Sequence, residues 1–290
     1  MKTAEPKLEL IQPGHWSQFW PRLKRASIGL YRDGCIGTAK GVAYSAMLSF
    51  FPMVTSIAAI LVQARAESVS RTVARLLYDV VPPGTEEVVR TLFVVHGARP
   101  GWLLIAAMIL ALFAASGAMM SLMEGFRAVY RIPHGRSFLH ERAMAMLLVA
   151  TSALPVIGAS ALIVFGRRGE REFVQWLGVA SEGRGWVLLA GQVLRFVAAT
   201  GSIIIATALI YYLGPNRKQN FRRLLPGAIL ATFFWLLATL AFAWYVRYVA
   251  NYNVMYGSVG AGLALLVWMY LLSIIVLLGC EFNAVREREL

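Results

Sequence analysis

NYNVMYGSVGAGLALLVWMYLLSIIVLLGCEFNAVREREL, residues 251–290, decides the fold. From Val259 to Cys280 it carries no charge. At about 1.5 Å per residue, a helix of that length covers roughly 30 Å, the hydrocarbon thickness of a bilayer. The run therefore reads as a transmembrane helix. Its flanks are polar: Asn251, Tyr252, Asn253 and Tyr256 precede it, and Glu281, Asn283, Arg286 and Arg288 close it. Set at opposite ends of one spanning helix, the flanks lie some 30 Å apart and cannot share a single site.

The rest of the chain agrees with that reading. Of 290 residues, 58% are hydrophobic and only 15% charged, with a mean hydropathy of +0.62, far more apolar than a soluble domain. The first thirty residues lack the apolar core of a removable signal peptide, so insertion through the chain's own helices is expected. A net charge of +13 can mark a nucleic-acid partner, but in so apolar a chain it fits the positive-inside bias and contact with anionic headgroups, and no nucleic acid is expected. Cys35 and Cys280 fall near predicted cytoplasmic ends, where thiols stay reduced, so no disulfide framework is implied.

Hydropathy and helix signals predict an all-α integral membrane protein, one membrane domain over residues 1–290. Residues 16–34 alternate Trp16, Phe19, Trp20, Leu23 and Leu30 with Arg22, Lys24, Arg25 and Arg32, the pattern of an amphipathic helix in the interface. It reads either as an anchor or as a lipid-sensing element. Six transmembrane helices are predicted at 41–62, 102–123, 143–166, 186–213, 226–246 and 259–280. Residues 67–97 hold two short amphipathic stretches broken at Pro82, Pro83 and Gly84, each too short and charged to span, and read as an outer-face helical hairpin. Residues 167–185 read as a charged loop, 215–225 as a basic loop, and Pro226 as a first-turn residue of the fifth span.

Chemistry-bearing residues are few. The four histidines, His15, His96, His134 and His140, form no HxH or HxxxH pair, and Glu141 is the acid beside them. Clustered ligands for a water-activating metal are therefore not expected. Glycine-rich phosphate loops and nucleophile elbows are missing from the sequence as well. The sharpest anomaly is Arg195, ten residues into an apolar segment with Gln192 one turn before it. Arginine at mid-bilayer costs about 2.5–3.5 kcal/mol, so it either faces a cavity or snorkels to the interface from a shorter span. Glu281, beside Asn283, reads either as a proton- or cation-handling carboxylate or as a partner of Arg127 or Lys40 locking helix ends. Pro52 and Pro155, inside predicted spans, are kink sites and candidate hinges or static packing devices.

The order of four elements is familiar: AYSAMLSFFP at 43–52, LMEGFRAVYRIP at 122–133, LLPGAILATFFW at 224–235, and YNVMYGS through GCEFNA at 252–284. Together they resemble the YihY/BrkB family of bacterial inner-membrane proteins, formerly labelled ribonuclease BN-like, over nearly the whole chain. Gly279, Glu281, Asn283 and Ala284 match the family's GxExNA element. The resemblance implies a six-helix inner-membrane protein tied to envelope integrity and virulence traits, with transport, including of lipids, among its proposed roles.

The expected function is therefore a transporter or translocator of an anionic lipid or other anionic envelope solute. A non-transporting envelope scaffold is the alternative, and a membrane-bound ribonuclease is a third. No enzyme activity, catalytic residue, metal or cofactor is expected. Candidate substrate-binding residues are Arg195, Gln192, Tyr44, Tyr256, Glu281 and Asn283, and the candidate hinges are Pro52 and Pro155. Membrane lipids are the expected partners, and small residues at Gly257, Gly260 and Gly262 permit close packing within one chain or in a homo-oligomer.

With both termini cytoplasmic, the inner segments hold 17 Lys and Arg and the outer segments ten, the latter among seven acids. Reporter fusions test this orientation: a cytoplasm-active reporter after residue 290 is expected to be active and one inserted beside Arg171 silent, and the reverse pattern would invert the topology.

Overall fold

The computed structural model describes residues 18–63, 101–133, 135–176, 181–248 and 257–289. They form seven helices and, among the described residues, no strand: α1 (Phe19–Arg32), α2 (Cys35–Gln63), α3 (Gly101–Tyr130), α4 (Phe138–Trp176), α5 (Ser181–Leu213), α6 (Phe221–Tyr248) and α7 (Gly257–Arg288). The all-helical architecture is the one the hydropathy predicts, because in lipid a helix satisfies every backbone hydrogen bond within its own segment. Stretches of α3, α5, α6 and α7 are long and apolar enough to cross a membrane: Met108–Tyr130, Leu189–Leu213, Phe221–Tyr245 and Gly262–Arg288. The predicted spans 41–62 and 143–166 lie inside α2 and α4, of 29 and 39 residues, and the expected count of six rests on those two helices crossing as well.

Boundaries differ from expectation in one consistent way. Charge leaves hydrocarbon, so most apolar runs end at a charged residue, but helical hydrogen bonding does not stop at the headgroups. Thus α2 begins at Cys35 and α3 runs on to Tyr130. The segment 167–185, expected as a loop, is helical to Trp176 and again from Ser181. Pro226 is the sixth residue of α6 rather than a first-turn residue. Pro52 and Pro155 sit inside unbroken α2 and α4. The hairpin expected at 67–97 lies outside the described residues.

Neighbouring helices pack pairwise, α2 along α3, α4 along α5, α6 along α7, with α7 also against α2 and α3. At one end of the bundle a cluster of small and medium side chains forms the main core, with Cys35, Ala39, Phe126, Ala208, Tyr211, Ala228, Leu277 and Cys280 fully buried. The outside is apolar: Ile109, Leu154, Leu194, Phe196, Leu240 and Leu263 are exposed on five different helices, as a lipid-facing surface requires. Gly262 faces the Met47 methyl of α2 at 3.6 Å from where its Cβ would lie, so this small residue serves packing within the chain.

α1 is more than an interfacial anchor. Its buried Ala26 packs with Leu230 of α6 and with Phe282 and Val285 of α7, and Phe19 meets Phe282 with ring centroids 5.8 Å apart, while Trp20 and Tyr31 stay exposed. Arg22 and Arg25 both reach Glu289 at 2.6 Å. The two ends of the described chain therefore lie together, at the same end of the bundle.

The tightest helix crossing is between α6 and α7. A Cβ on Gly279 would lie 2.5 Å from the Tyr211 Oη and 2.6 Å from the Gly227 carbonyl, and one on Gly227 would overlap the Gly279 carbonyl and Asn283. Since backbone lines both sides, neither helix can yield. Gly279→Ala is expected to destabilise the purified protein by about 1–3 kcal/mol through overpacking, read as a lowered Tm in detergent. Gly201→Ala, where the added methyl meets no atom within 4 Å, is the control expected to leave the Tm unchanged.

Candidate functional site

A network of charged residues lies where α1 and α7 end, α2 begins, and the α3–α4 and α5–α6 connections turn. Three contacts fix this end. Tyr211, fully buried on α5, donates its hydroxyl to the Val276 carbonyl of α7 at 2.6 Å. Arg136, in the α3–α4 connection, donates to the carbonyls of Leu213 and Gly214 at 3.2 and 3.1 Å, capping the exposed carbonyl end of α5 as a cation should. Its own guanidinium is shifted down by burial, against the pull of Glu141. Arg127 pairs with Glu141 and holds α3 to α4.

Asn283 is buried and fully occupied. Its Oδ1 accepts from the Gly227 N–H at 2.8 Å and its Nδ2 donates to the Leu224 carbonyl at 2.9 Å. Pro226, lacking an N–H, weakens the first turns of α6, and the Asn283 amide bridges the peptide groups on either side of it. This candidate substrate residue is thus a helix clamp with both amide functions in use.

Glu281 is buried at 0% side-chain exposure. Its Oε1 pairs with the Arg288 Nη1 at 3.3 Å, and among the described residues its Oε2 has no hydrogen-bond partner. The expected pairing with Arg127 or Lys40 is not the one formed: Arg127 is taken by Glu141, and Lys40 is exposed. Seven residues separate Glu281 from Arg288, two helical turns, so both project from one face of α7. Asp33, at the α1–α2 turn, faces the same place, with its carboxylate 3.5 Å from Arg131 and 4.0 Å from Arg288. Arg288 also donates to the Val129 carbonyl at 2.7 Å. These groups open onto a cavity of about 480 Å³ whose wall includes Arg25, Arg32, Asp33, Arg131, Glu281 and Arg288.

Other candidates stand elsewhere. Arg195 is half-buried on α5, with its Nη1 sealed from solvent, and Gln192 is exposed. Arg195 lies sixteen residues before Tyr211, about 24 Å along the helix axis, so the Arg195–Gln192 pair and the Glu281 cluster are separate places. Tyr44 is exposed on α2, and Tyr256 lies outside the described residues. Pro52 and Pro155 are half-buried in their helices; neighbouring hydroxyls of Thr55 and Ser56 donate to the Phe51 and Pro52 carbonyls at 2.8 and 2.7 Å.

Sequence reasoning missed Asp33, Arg131 and Gly29 as members of this site. Asp33 carried a signal, being the lone acid among the bases from Arg22 to Lys40. Gly29 carried none: a Cβ there would lie 2.5 Å from the Glu281 Oε1, a relation only the packing of α1 on α7 creates. Among the described residues no three His, Cys, Asp or Glu are grouped to hold a metal ion.

Long apolar helices with charge kept to their ends define a polytopic helical membrane protein. The chain belongs to the Virulence factor BrkB family, whose profile matches residues 28–290. It is 30% identical over 191 residues to a Bacillus subtilis protein called putative ribonuclease-like protein YfkH, covering 66% of this chain and 68% of that one. A UPF0761 membrane protein of Alkalilimnicola ehrlichii is 28% identical over 87% of this chain, and the match spans 55% of that relative's length. A UPF0761 membrane protein of Vibrio campbellii is 25% identical over 99% of this chain and 88% of its own. No solved structure matches.

Both cysteines are free and buried in this end of the bundle. Burial pushes the Cys35 thiol up to about 12, with the nearby Glu281 and Asp33 carboxylates adding to the shift. A raised thiol stays protonated below its shifted pKa, so at neutral pH the reactive thiolate is about a 10⁻⁵ fraction, against a few per cent for a free cysteine. Maleimide labelling of the folded protein at neutral pH is expected to be at least about a hundredfold slower than after unfolding in SDS; equal rates would show the buried thiols of this end to be open to solvent.

Proposed function

We propose that this chain is a bacterial inner-membrane transporter or translocator of an anionic lipid or other anionic envelope solute, receiving its cargo at the basic end of the bundle. The observation that carries the reading is the cavity of about 480 Å³ with Arg25, Arg32, Arg131 and Arg288 on its wall. Its volume suits a headgroup or small solute. Arg25 and Arg131 are each 66% exposed, so a ligand can meet them from solvent. Guanidinium groups bind phosphate and carboxylate oxygens in bidentate fashion, which favours an anion over a cation here.

The joined chain ends at this basic pole favour both termini in the cytoplasm, where the positive-inside bias places clustered arginine. α2 and α4 then complete six spans, and Arg195 marks a second polar point about 24 Å further along the bundle. Together the two define a path with a cationic entrance and a cationic waypoint. Pro52 and Pro155 supply the places where α2 and α4 bend as cargo passes.

A non-transporting scaffold draws support from a different observation: Asn283, Tyr211, Arg136 and the α6–α7 glycines pin the basic end firmly. The ribonuclease-like name of the Bacillus relative supplies no residue to carry such chemistry on this chain. Reconstitution into liposomes with fluorescent phosphatidylglycerol separates the readings. Translocation is expected to be faster than in protein-free vesicles and to fall several-fold in both Arg288→Gln and Arg195→Ala. Rates equal to protein-free vesicles would overturn lipid translocation, and phenotypes lost on deleting residues 67–97 but kept in both arginine variants would establish the scaffold.

A further inference from the structure

The carboxylates at the basic cavity are as telling as its arginines. Glu281 is wholly buried, yet it lines the cavity and keeps one oxygen without a hydrogen-bond partner among the described residues. A buried carboxylate is held in the charged state by its cation and its hydrogen bonds, and without them it takes a proton. Among the described residues its direct cation is Arg288, through one contact at 3.3 Å. Arg288 is shared: the same guanidinium faces Asp33 at 4.0 Å and the Val129 carbonyl at 2.7 Å, and it is 44% exposed.

Asp33 is the other carboxylate at the cavity, and its Oδ2 likewise lacks a hydrogen-bond partner among the described residues. From α1 and its turn Glu281 faces Gly29, Asp33 and, across the cavity, Arg25 and Arg32; from α2 it faces the buried Cys35 thiol. From the end of α3 comes Arg131, and from α7 itself Cys280, Arg288 and Glu289. Asp33 holds a second cation, Arg131, at 3.5 Å, and so keeps a partner when Arg288 moves. Arg131 is kept there at a conformational penalty: it has φ +53°, the left-handed region that non-glycine residues rarely occupy. Gly29 is the residue that leaves Glu281 room to sit beneath the cavity floor.

We propose that Glu281 and Arg288 form a proton-coupled oxyanion site: an incoming phosphodiester or sulfate-like anion takes the Arg288 guanidinium from Glu281, and Glu281 takes up one proton. No covalent bond other than the new carboxyl O–H forms, the proton coming from the solvent; it balances the single charge of a phosphodiester and one of the two charges of sulfate. The inference rests on the reading of the cavity as an anion site and adds the coupling ion to it. By linkage, uptake of one proton on binding makes affinity fall as pH rises, about tenfold per pH unit while Glu281 of the free protein is ionised.

Two probes that do not titrate near neutral pH test this on the full chain in uncharged detergent: sulfate, and dihexanoylphosphatidylglycerol below its micellar concentration. Calorimetry in two buffers of different ionisation enthalpy counts protons on the unaltered protein. Where Glu281 of the free protein is ionised, the expected result is about one proton taken up per anion, with affinity falling about tenfold per pH unit, and both shrink as the pH falls into its titration range. Glu281→Gln is expected to bind with no proton uptake and no slope, while Arg288→Gln loses at least tenfold in affinity. Binding of both probes assigns the site to oxyanions in general; binding of the lipid alone assigns it to headgroups.

A wild-type affinity independent of pH, or a slope that survives Glu281→Gln, overturns the coupling and leaves the anion site standing. Failure of both probes to bind overturns the anion reading and the coupling with it. Should Glu281→Gln not fold, the proton count on the unaltered protein still decides.

Discussion

The amide of Asn283 spans two peptide groups of α6, accepting from Gly227 and donating to Leu224, and the arrangement of the basic end depends on it. α6 and α7 can close to backbone contact because Gly227 and Gly279 carry no side chains. Pro226 leaves α6 without one of its own hydrogen bonds at the same level. A clamp, a gap in the ladder and a pair of glycines thus coincide. Once α6 and α7 are fixed, the last turns of α7 have one orientation, and Glu281 and Arg288 are directed to the opposite face, toward α1.

That division of labour explains the site. One face of the α7 terminus holds α6, through Asn283 and Gly279, and the face toward α1 carries Glu281 and Arg288. α1 lies over the charged face, with Gly29 above Glu281 and Arg25 tied to Glu289. The site is therefore built from residues spread over Arg25 to Glu289, nearly the whole chain, gathered at one end of the bundle, away from the middle of the long apolar helices. Ionisable groups are far cheaper there than at mid-bilayer, which is why the chain can hold several of both signs together. Arg195 is the exception, half-buried well along α5.

Hydropathy made the architecture legible. Runs such as the uncharged Val259–Cys280 identified every described long helix, because the requirement for internal backbone hydrogen bonding in lipid admits little besides helices. The GxExNA element identified the family. Roles within that element were not legible: Glu281 and Asn283 are two residues apart, both read as candidate ligand residues, and Glu281 borders the cavity of about 480 Å³ while Asn283 clamps α6 beside a smaller one of about 210 Å³. Positions two apart on a helix point about 200° from each other, but which side meets a neighbouring helix is not written in the spacing. Arg127, read as a partner for Glu281, belongs to Glu141 for the same reason.

By itself, then, the sequence determined a helical membrane protein, the places of its long helices, a preponderance of arginine, and its family, through local composition, the length of apolar runs and short motifs. Tertiary structure alone decided that α1 covers the end of α7, that Asp33 and Arg131 join Glu281 and Arg288, and that Arg195 stands apart from them. Those facts depend on which helix faces approach each other, and that is set by contacts between residues as distant in the chain as Gly29 and Glu281.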